Sequence, residues 1–408
     1  MRNITAADTG KKAPLWNGTF ILLIAMSLLN GVAGMMTVPL VAKYALELGA
    51  ELTLASTVAG LMSLVSLVVC PFAGMLADKI SRKWILVFGN LGYGICLVLH
   101  SVCTSIPLLI VMRLLTGVFF SVCSVTNIAF ASSFIAKERT GEGLGFISLA
   151  QIVAQALGPS IGLKLVEVSS FQLTFLIAGI FPLVCIACIL PLKYRKPEPA
   201  PGAVKQKFSF RNLYAVELTC FMLMAALFSA GNGMVSTYLA IIADERQIAN
   251  ISVFFTVYSV FLIIIRPFTG KLLDKKGVFV ILVPSFVFAA LGMIFVGIGS
   301  TLGMMLAAAV FKALGQGNGQ PSIQAYSVKK LPKERSGVAS STVMIGQNVG
   351  NAVAPIIGSF FVKEFGYKGM FLGFGGILAV FGIALIGIQF MIEKKKGAGN
   401  PILQDRKE

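Results

Sequence analysis

The stretch Pro71-Phe72-Ala73-Gly74-Met75-Leu76-Ala77-Asp78-Lys79 returns in altered form as Pro267-Phe268-Thr269-Gly270-Lys271-Leu272-Leu273-Asp274-Lys275, 196 positions further along the chain. The same offset relates Lys137-Glu138-Arg139 to Lys333-Glu334-Arg335, Gln151 to Gln347, Pro159 to Pro355 and Gly162 to Gly358. No gap is needed over roughly ninety residues of either half, so one unit stands here twice in tandem.

The unit is a membrane one. Hydrophobic residues make up 56% of the 408 positions and charged residues 12%, the charges gathered in short clusters between long apolar runs. Runs of about 20 apolar residues are long enough to cross a bilayer. Twelve are found, at 17–44, 53–77, 84–103, 107–135, 140–167, 169–192, 212–240, 247–273, 278–298, 302–328, 335–363 and 366–392, six in each half. The expected fold is an all-α membrane protein of twelve transmembrane helices arranged as two pseudo-symmetric six-helix bundles. Repeated halves of this kind are the usual architecture of alternating-access transporters. The expected boundaries are 1–192 for the first bundle, 193–211 for a cytoplasmic linker holding Pro197, Pro199 and Pro201, 212–393 for the second bundle and 394–408 for a cytoplasmic tail. Connections elsewhere are short, so consecutive helices run antiparallel as neighbours.

The formal net charge of +17 would point to nucleic acid in a soluble protein, but its placement reports topology instead. With both termini cytoplasmic, only Lys43, Lys164, Arg246, Lys363 and Lys368 fall in outside loops, three cations fall inside helices, and the rest of the 34 lie on the inside. This asymmetry satisfies the positive-inside rule, and no basic stretch is interleaved with aromatics as a nucleic-acid groove requires. The seven cysteines all lie in predicted spans, an odd number that fits free thiols packed as small apolar residues. Cys185 and Cys188 form a Cys-x-x-Cys without nearby histidines or charges, so no metal site is expected. Residues 1–16 are polar and lead into a full-length span, which does not read as a cleavable signal. The single histidine, His100, has no carboxylate or serine beside it at catalytic spacing, and no soluble signalling domain is present, so enzyme and receptor readings lack support.

The Gly74-Met75-Leu76-Ala77-Asp78-Lys79-Ile80-Ser81-Arg82-Lys83 turn resembles the signature Gly-x-Leu-Ala-Asp-Arg-x-Gly-Arg-Lys of the major facilitator superfamily, with Ser81 in place of the second glycine. Gly270 to Gly277 is similar to that family's degraded second copy. The resemblance covers essentially the whole chain and implies the major facilitator fold and alternating-access transport. It implies a cytoplasmic gate formed by Gly74, Asp78, Arg82, Lys83, Gly270 and Asp274, in which Asp78 accepts hydrogen bonds while Arg82 and Lys83 meet acidic partners or lipid phosphates. Arg113-Leu114-Leu115-Thr116-Gly117 resembles the Arg-x-x-x-Gly motif of proton-coupled members. Gly158-Pro159-x-x-Gly162 resembles the helix-five motif of drug antiporters, with Leu163 where its last glycine would stand.

Ionisable groups inside a span are functional candidates by default, because they are costly to insert. They are Arg113, Glu217, Arg266 and Lys312. Arg266, just before Pro267, reads as a gate or structural residue within reach of Asp274 or Asp78. Glu217 is the one acidic residue inside an apolar run; a carboxylate withdrawn from water holds its proton more readily, which makes Glu217, with Arg113, a candidate for proton coupling. Lys312, Gln316, Gln320 and Gln324 follow one another at steps of four on the tenth run, and each step turns the row by only about 40°. Arg113, Gly117, Ser121, Ser124 and Asn127 form a similar stripe on the fourth. In the family that the chain resembles, helices one, four, seven and ten line the central cavity. Asn30, Arg113, Asn127, Asn232, Lys312, Gln316 and Gln320 are therefore the expected cavity residues.

The expected function is a secondary active transporter of a bacterial cytoplasmic membrane, monomeric and cofactor-free, exporting a small amphipathic drug or metabolite in exchange for protons. The first run lacks the acidic residue that many exporters of cationic drugs carry there, so an anionic, zwitterionic or neutral substrate is favoured. Uptake or exchange of an organic anion, countered by Arg113, Lys312 or Arg266, is the alternative.

Overall fold

The structure is a computed structural model that describes residues 16–135, 139–194, 214–332 and 335–398, without the side chains of Asp78, Lys79, Thr140, Gly141, Ala156, Asp274, Ser336 and 395–398. Most of the linker, the end of the tail and the Lys137-Glu138 and Lys333-Glu334 pairs lie outside the described residues. Among those residues the chain runs through eleven α-helices: α1 Gly18–Glu47, α2 Leu52–Lys79, α3 Arg82–His100, α4 Ile106–Ser132, α5 Thr140–Val168, α6 Phe171–Ile189, α7 Thr219–Glu245, α8 Val253–Lys276, α9 Phe279–Ile298, α10 Leu302–Lys330 and α11 Ser336–Ala398. Ten of them are long and apolar enough to cross a membrane; α10, which carries Lys312 and its glutamines, is the exception. Only helices and closed barrels satisfy their backbone inside lipid.

Two element boundaries differ from the hydropathy reading. The seventh run was expected to start at 212, yet α7 begins at Thr219 after a short 3-10 turn, Val216–Leu218. Thr219 Oγ1 donates to Val216 O and Thr342 Oγ1 takes the Ala215 N–H, so the backbone is anchored before the helix can extend backwards. The runs at 335–363 and 366–392 join in one 63-residue element. A straight helix of that length would reach roughly 95 Å, about three bilayers. It does not stay straight. Gly366 has φ 65 and ψ 175, a conformation glycine adopts at no steric cost, and Gly358 before it packs against Met370 after it. The element is therefore two arms folded back on each other.

The halves follow the repeat. Pro71 and Pro267 lie inside α2 and α8, and Pro159 and Pro355 inside α5 and α11, at matching places. In the first half α1 packs on α5 and α3 on α6; in the second, α7 packs on the first arm of α11 and α9 on its second arm. Glycines bring the paired helices together. A Cβ at Gly162 would lie 2.4 Å from Met36 O of α1, and one at Gly350 would lie 2.2 Å from Ala226 O of α7, both inside van der Waals contact. Without a hydrophobic force between helices in lipid, such close approach supplies the attraction. The halves meet where α1 touches α7, α2 touches α11 and α5 touches α8.

Candidate functional site

The polar residues of the second half converge at one place. Lys312, 5% exposed on α10, donates from Nζ to Asn232 Oδ1 of α7 at 2.9 Å and to Gln316 Oε1, and its ammonium lies 4.6 Å above the ring centroid of Tyr258 on α8. Gln316 Nε2 donates to Gln320 Oε1 at 3.2 Å, and Gln320 Nε2 to Ser229 Oγ of α7 at 3.1 Å. Asn232 Nδ2 reaches Asn351 Oδ1 of α11 at 3.4 Å. Side chains from α7, α8, α10 and α11 thus form one chain of contacts around a single cation. Asn232 and Gln320 are half-buried. A void of about 10 Å³ lies beside Lys312 and Gln316, room for about one water. Gln324, the next position of the stripe, stays outside the chain and its Oε1 has no partner.

The first-half candidates are buried but not gathered. Arg113 is 1% exposed; its Nη2 donates to Ala59 O of α2 at 3.4 Å, while Nε and Nη1 have no partner. Asn127 donates to Ser27 Oγ of α1 at 2.7 Å, and its Oδ1, like that of Asn30, is unpartnered. The fourth-helix stripe does not line a cavity along its length. Gly117 packs against Val65 and Met62, and Ser121 bonds Ser66 Oγ at 2.8 Å, so its middle is the seam between α4 and α2.

Glu217 is not the desolvated carboxylate expected. It sits on the 3-10 turn ahead of α7, exposed to solvent and 3.4 Å from Arg335. Of the gate residues, Arg82 donates to Ala77 O, to Ala129 O at 2.8 Å and to Ser133 Oγ at 3.0 Å; Lys83 donates to Leu190 O and Leu192 O at 2.7 and 2.8 Å. Both therefore satisfy carbonyls at the ends of α4 and α6, where helices leave acceptors free and carry partial negative charge. Cβ atoms at Gly74 and Gly270 would meet little or nothing, whereas Gly158 and Gly162 are pressed against Met35 and Met36 of α1. Arg266 is half-buried on α8, its Nε unpartnered, and lines a cleft of about 390 Å³ with Glu142, Phe146, Leu149 and Ile152 of α5.

A set of polar bonds joins the halves at the end bearing the α1–α2 and α7–α8 connections. Lys43 of α1 pairs with Asp244 of α7 at 2.6 Å, and Glu51 before α2 with Lys363 of α11 at 3.5 Å. Ser160 of α5 bonds Ser252 O and Thr256 Oγ1, and Lys164 bonds Asn250. Deeper in, Tyr238 of α7 donates to Pro355 O and meets Ser56 Oγ of α2 at 2.8 Å. The α5–α8 cleft holding Arg266 lies toward the opposite end. The sequence reading missed Tyr238, Ser56 and Tyr258, because an uncharged side chain in an apolar run carries no signal. It also missed the cluster in which Glu393 accepts from Tyr326, Lys330 and Gln389. Arg246 had a signal, as the one arginine among the cations expected in outside loops: it caps the end of α9 by donating to Val296 O, Gly297 O and Gly299 O.

A helical membrane protein of two repeated halves, with a buried polar cluster and a seam bonded toward one end, has the build of a transporter rather than an enzyme. The sequence profile of the Major Facilitator Superfamily matches residues 22–297 and 221–406. The chain belongs to that family. An uncharacterized MFS-type transporter of Methanocaldococcus jannaschii is 22% identical over 366 residues, 88% of this chain and 92% of that one. The Staphyloferrin B transporter of Staphylococcus aureus is 27% identical over 370 residues, 85% and 86% of the two chains. The Multidrug resistance protein MdtG of Proteus mirabilis is 24% identical over 403 residues, 94% and 96%. Among solved structures, a mutant of the nucleoside transporter NupG aligns with a TM-score of 0.77 at 13% identity, covering 91% of this chain and 99% of that one. The human organic anion transporter MFSD10 aligns at 0.67 and 13% identity, with 90% and 98% covered.

Proposed function

We propose that the protein is a secondary active transporter that works by alternating access and exports a small amphipathic drug or metabolite from a bacterial cytoplasm against protons. In this reading it is a monomer with twelve spans, the two arms of α11 counting as two, grouped as 1–192 and 212–393, with both termini cytoplasmic. The supporting observation is a pair of features: bonds join the halves at the end of the α1–α2 connection, and a cleft between α5 and α8 lies toward the other end, as in an inward-facing carrier. Opening of that seam and closure over the α5–α8 cleft would expose the Lys312 cluster alternately to each side. The turns ending in Asp78 and Asp274 close the cytoplasmic side, and Arg113 takes the coupling role that Glu217, exposed and paired, does not fit. The MdtG relatives support export. The absence of any buried carboxylate facing Lys312 or Arg113 among the described side chains supports a second reading, exchange or uptake of an organic anion.

The test is transport in proteoliposomes. Pure protein under an imposed pH gradient is expected to accelerate movement of dansylamide, a small neutral amphipath, and to lose that acceleration when an ionophore collapses the gradient. Movement no faster than in protein-free vesicles overturns the export reading.

A further inference from the structure

Lys312 is restrained without being neutralised. Its three contacts, Asn232 Oδ1, Gln316 Oε1 and the face of Tyr258, carry no formal charge, so they aim the Lys312 amine without setting an opposite charge beside it at membrane depth, where an unpaired charge is costly. The bonds also fix the direction of the row. Because Gln316 Oε1 accepts from Lys312, its amide nitrogen must turn to Gln320 Oε1, and the Gln320 nitrogen must turn to Ser229. Each amide oxygen is engaged within the row. An amide nitrogen has two N–H groups and an ammonium three, so the row keeps donors in reserve. Its chemistry suits an acceptor of negative charge.

The way to Lys312 carries the same sign. Arg266 stands on α8 eight residues after Tyr258, roughly 12 Å along the helix, and lines the cleft of about 390 Å³ with its Nε unpartnered. Glu142 is the one acidic residue lining that cleft, and Arg139 holds it through two bonds of 2.9 Å. Among the described side chains at this mouth two arginines stand against one carboxylate, and further in on α8 the ring of Tyr258 faces Lys312 of α10.

We propose that the substrate of this transporter is an organic anion whose carboxylate, or comparable oxyanion, seats on Lys312 and the N–H groups of Gln316 and Gln320, guided through the α5–α8 cleft by Arg266. The proposal rests on the transport reading of the same polar row.

The test uses three probes that share one fluorophore, dansylglycine (anionic), dansylamide (neutral) and dansylcadaverine (cationic), titrated against full-length protein in nanodiscs of neutral lipid. Wild type is expected to bind the anion at least about 10-fold more tightly than the cation. Lys312→Gln should lose at least about 30-fold in affinity for the anion, the lower bound for removing a desolvated counter-charge, and less than about threefold for dansylamide. Arg266→Gln should slow association of the anion and flatten its salt dependence, leaving dissociation unchanged, as expected for a guiding charge away from the seat. If Lys312→Gln does not fold, the wild-type order of the three probes decides alone. Equal or tighter binding of the cation, an anion preference that survives Lys312→Gln, or no binding of any probe overturns the proposal. Failure of the transport reading looks different: wild type would still rank the probes by charge in nanodiscs while moving none of them across proteoliposomes.

Discussion

The Tyr238 hydroxyl joins three helices, and removing it tests whether the bonded seam sets the conformational balance. Its single proton goes to Pro355 O at 2.5 Å, so Ser56 must be the donor in the 2.8 Å contact between the two hydroxyls. Both side chains are fully buried. The Pro355 bond lies within the second half and is made whichever way the transporter faces. The Ser56 bond crosses between halves and is made only while this seam is closed. Tyr238→Phe therefore removes one cross-half hydrogen bond, worth about 0.5–1.5 kcal/mol net. Ser56 is not stranded, since Leu52 O lies 2.7 Å from its Oγ, which places the effect near the lower end. The ratio of seam-closed to seam-open protein should fall roughly 2- to 12-fold, at 1.4 kcal/mol per tenfold. Loss of the Pro355 bond should separately lower thermal stability in both states. Spin labels at the exposed Glu47 and Glu245 positions, at the ends of α1 and α7, would report the populations by pulsed dipolar distances. Ser56→Ala should reproduce the population shift without the stability loss, and the double variant should add nothing further to the shift. A ratio unchanged by Tyr238→Phe would refute the assignment of this bond to the gate.

Other outcomes follow from the packing and the surface contacts. Gly350→Ala drives a Cβ to within 2.2 Å of Ala226 O, whereas the same change at Gly270 meets nothing within 4 Å; melting in detergent should fall sharply for the first and not at all for the second. Lys83→Ala leaves Leu190 O and Leu192 O without their cation, a loss of about 0.3–1 kcal/mol at a helix end, which should show as faster amide exchange confined to the end of α6. Glu217→Gln breaks an exposed pair with Arg335 worth roughly 0–1 kcal/mol, so gradient-driven transport should persist; its abolition would return Glu217 to the coupling mechanism.

Much of this protein was legible before any fold was seen. The duplication, the membrane class and nearly every helix followed from sequence, because a bilayer demands long apolar runs and a tandem repeat preserves its spacing. The polar row on α10 was legible too, since steps of four place Lys312, Gln316 and Gln320 on one face whatever packs against it. Tertiary structure decided the partners. Whether Glu217 was buried depended on where α7 begins, and that is set by Thr219 and by Thr342, more than a hundred residues away. The fourth-helix stripe had the periodicity of a cavity wall, yet Gly117 and Ser121 face α2, because hydropathy within one helix does not say which neighbour fills the groove beside it. Arg82 and Lys83, part of a family signature, end on helix carbonyls that only the packed bundle brings near. Tyr238 and Ser56 lie 182 positions apart in runs that differ in nothing obvious from lipid-facing sequence. Their bond exists because two halves meet there, and that meeting is a property of the assembled molecule.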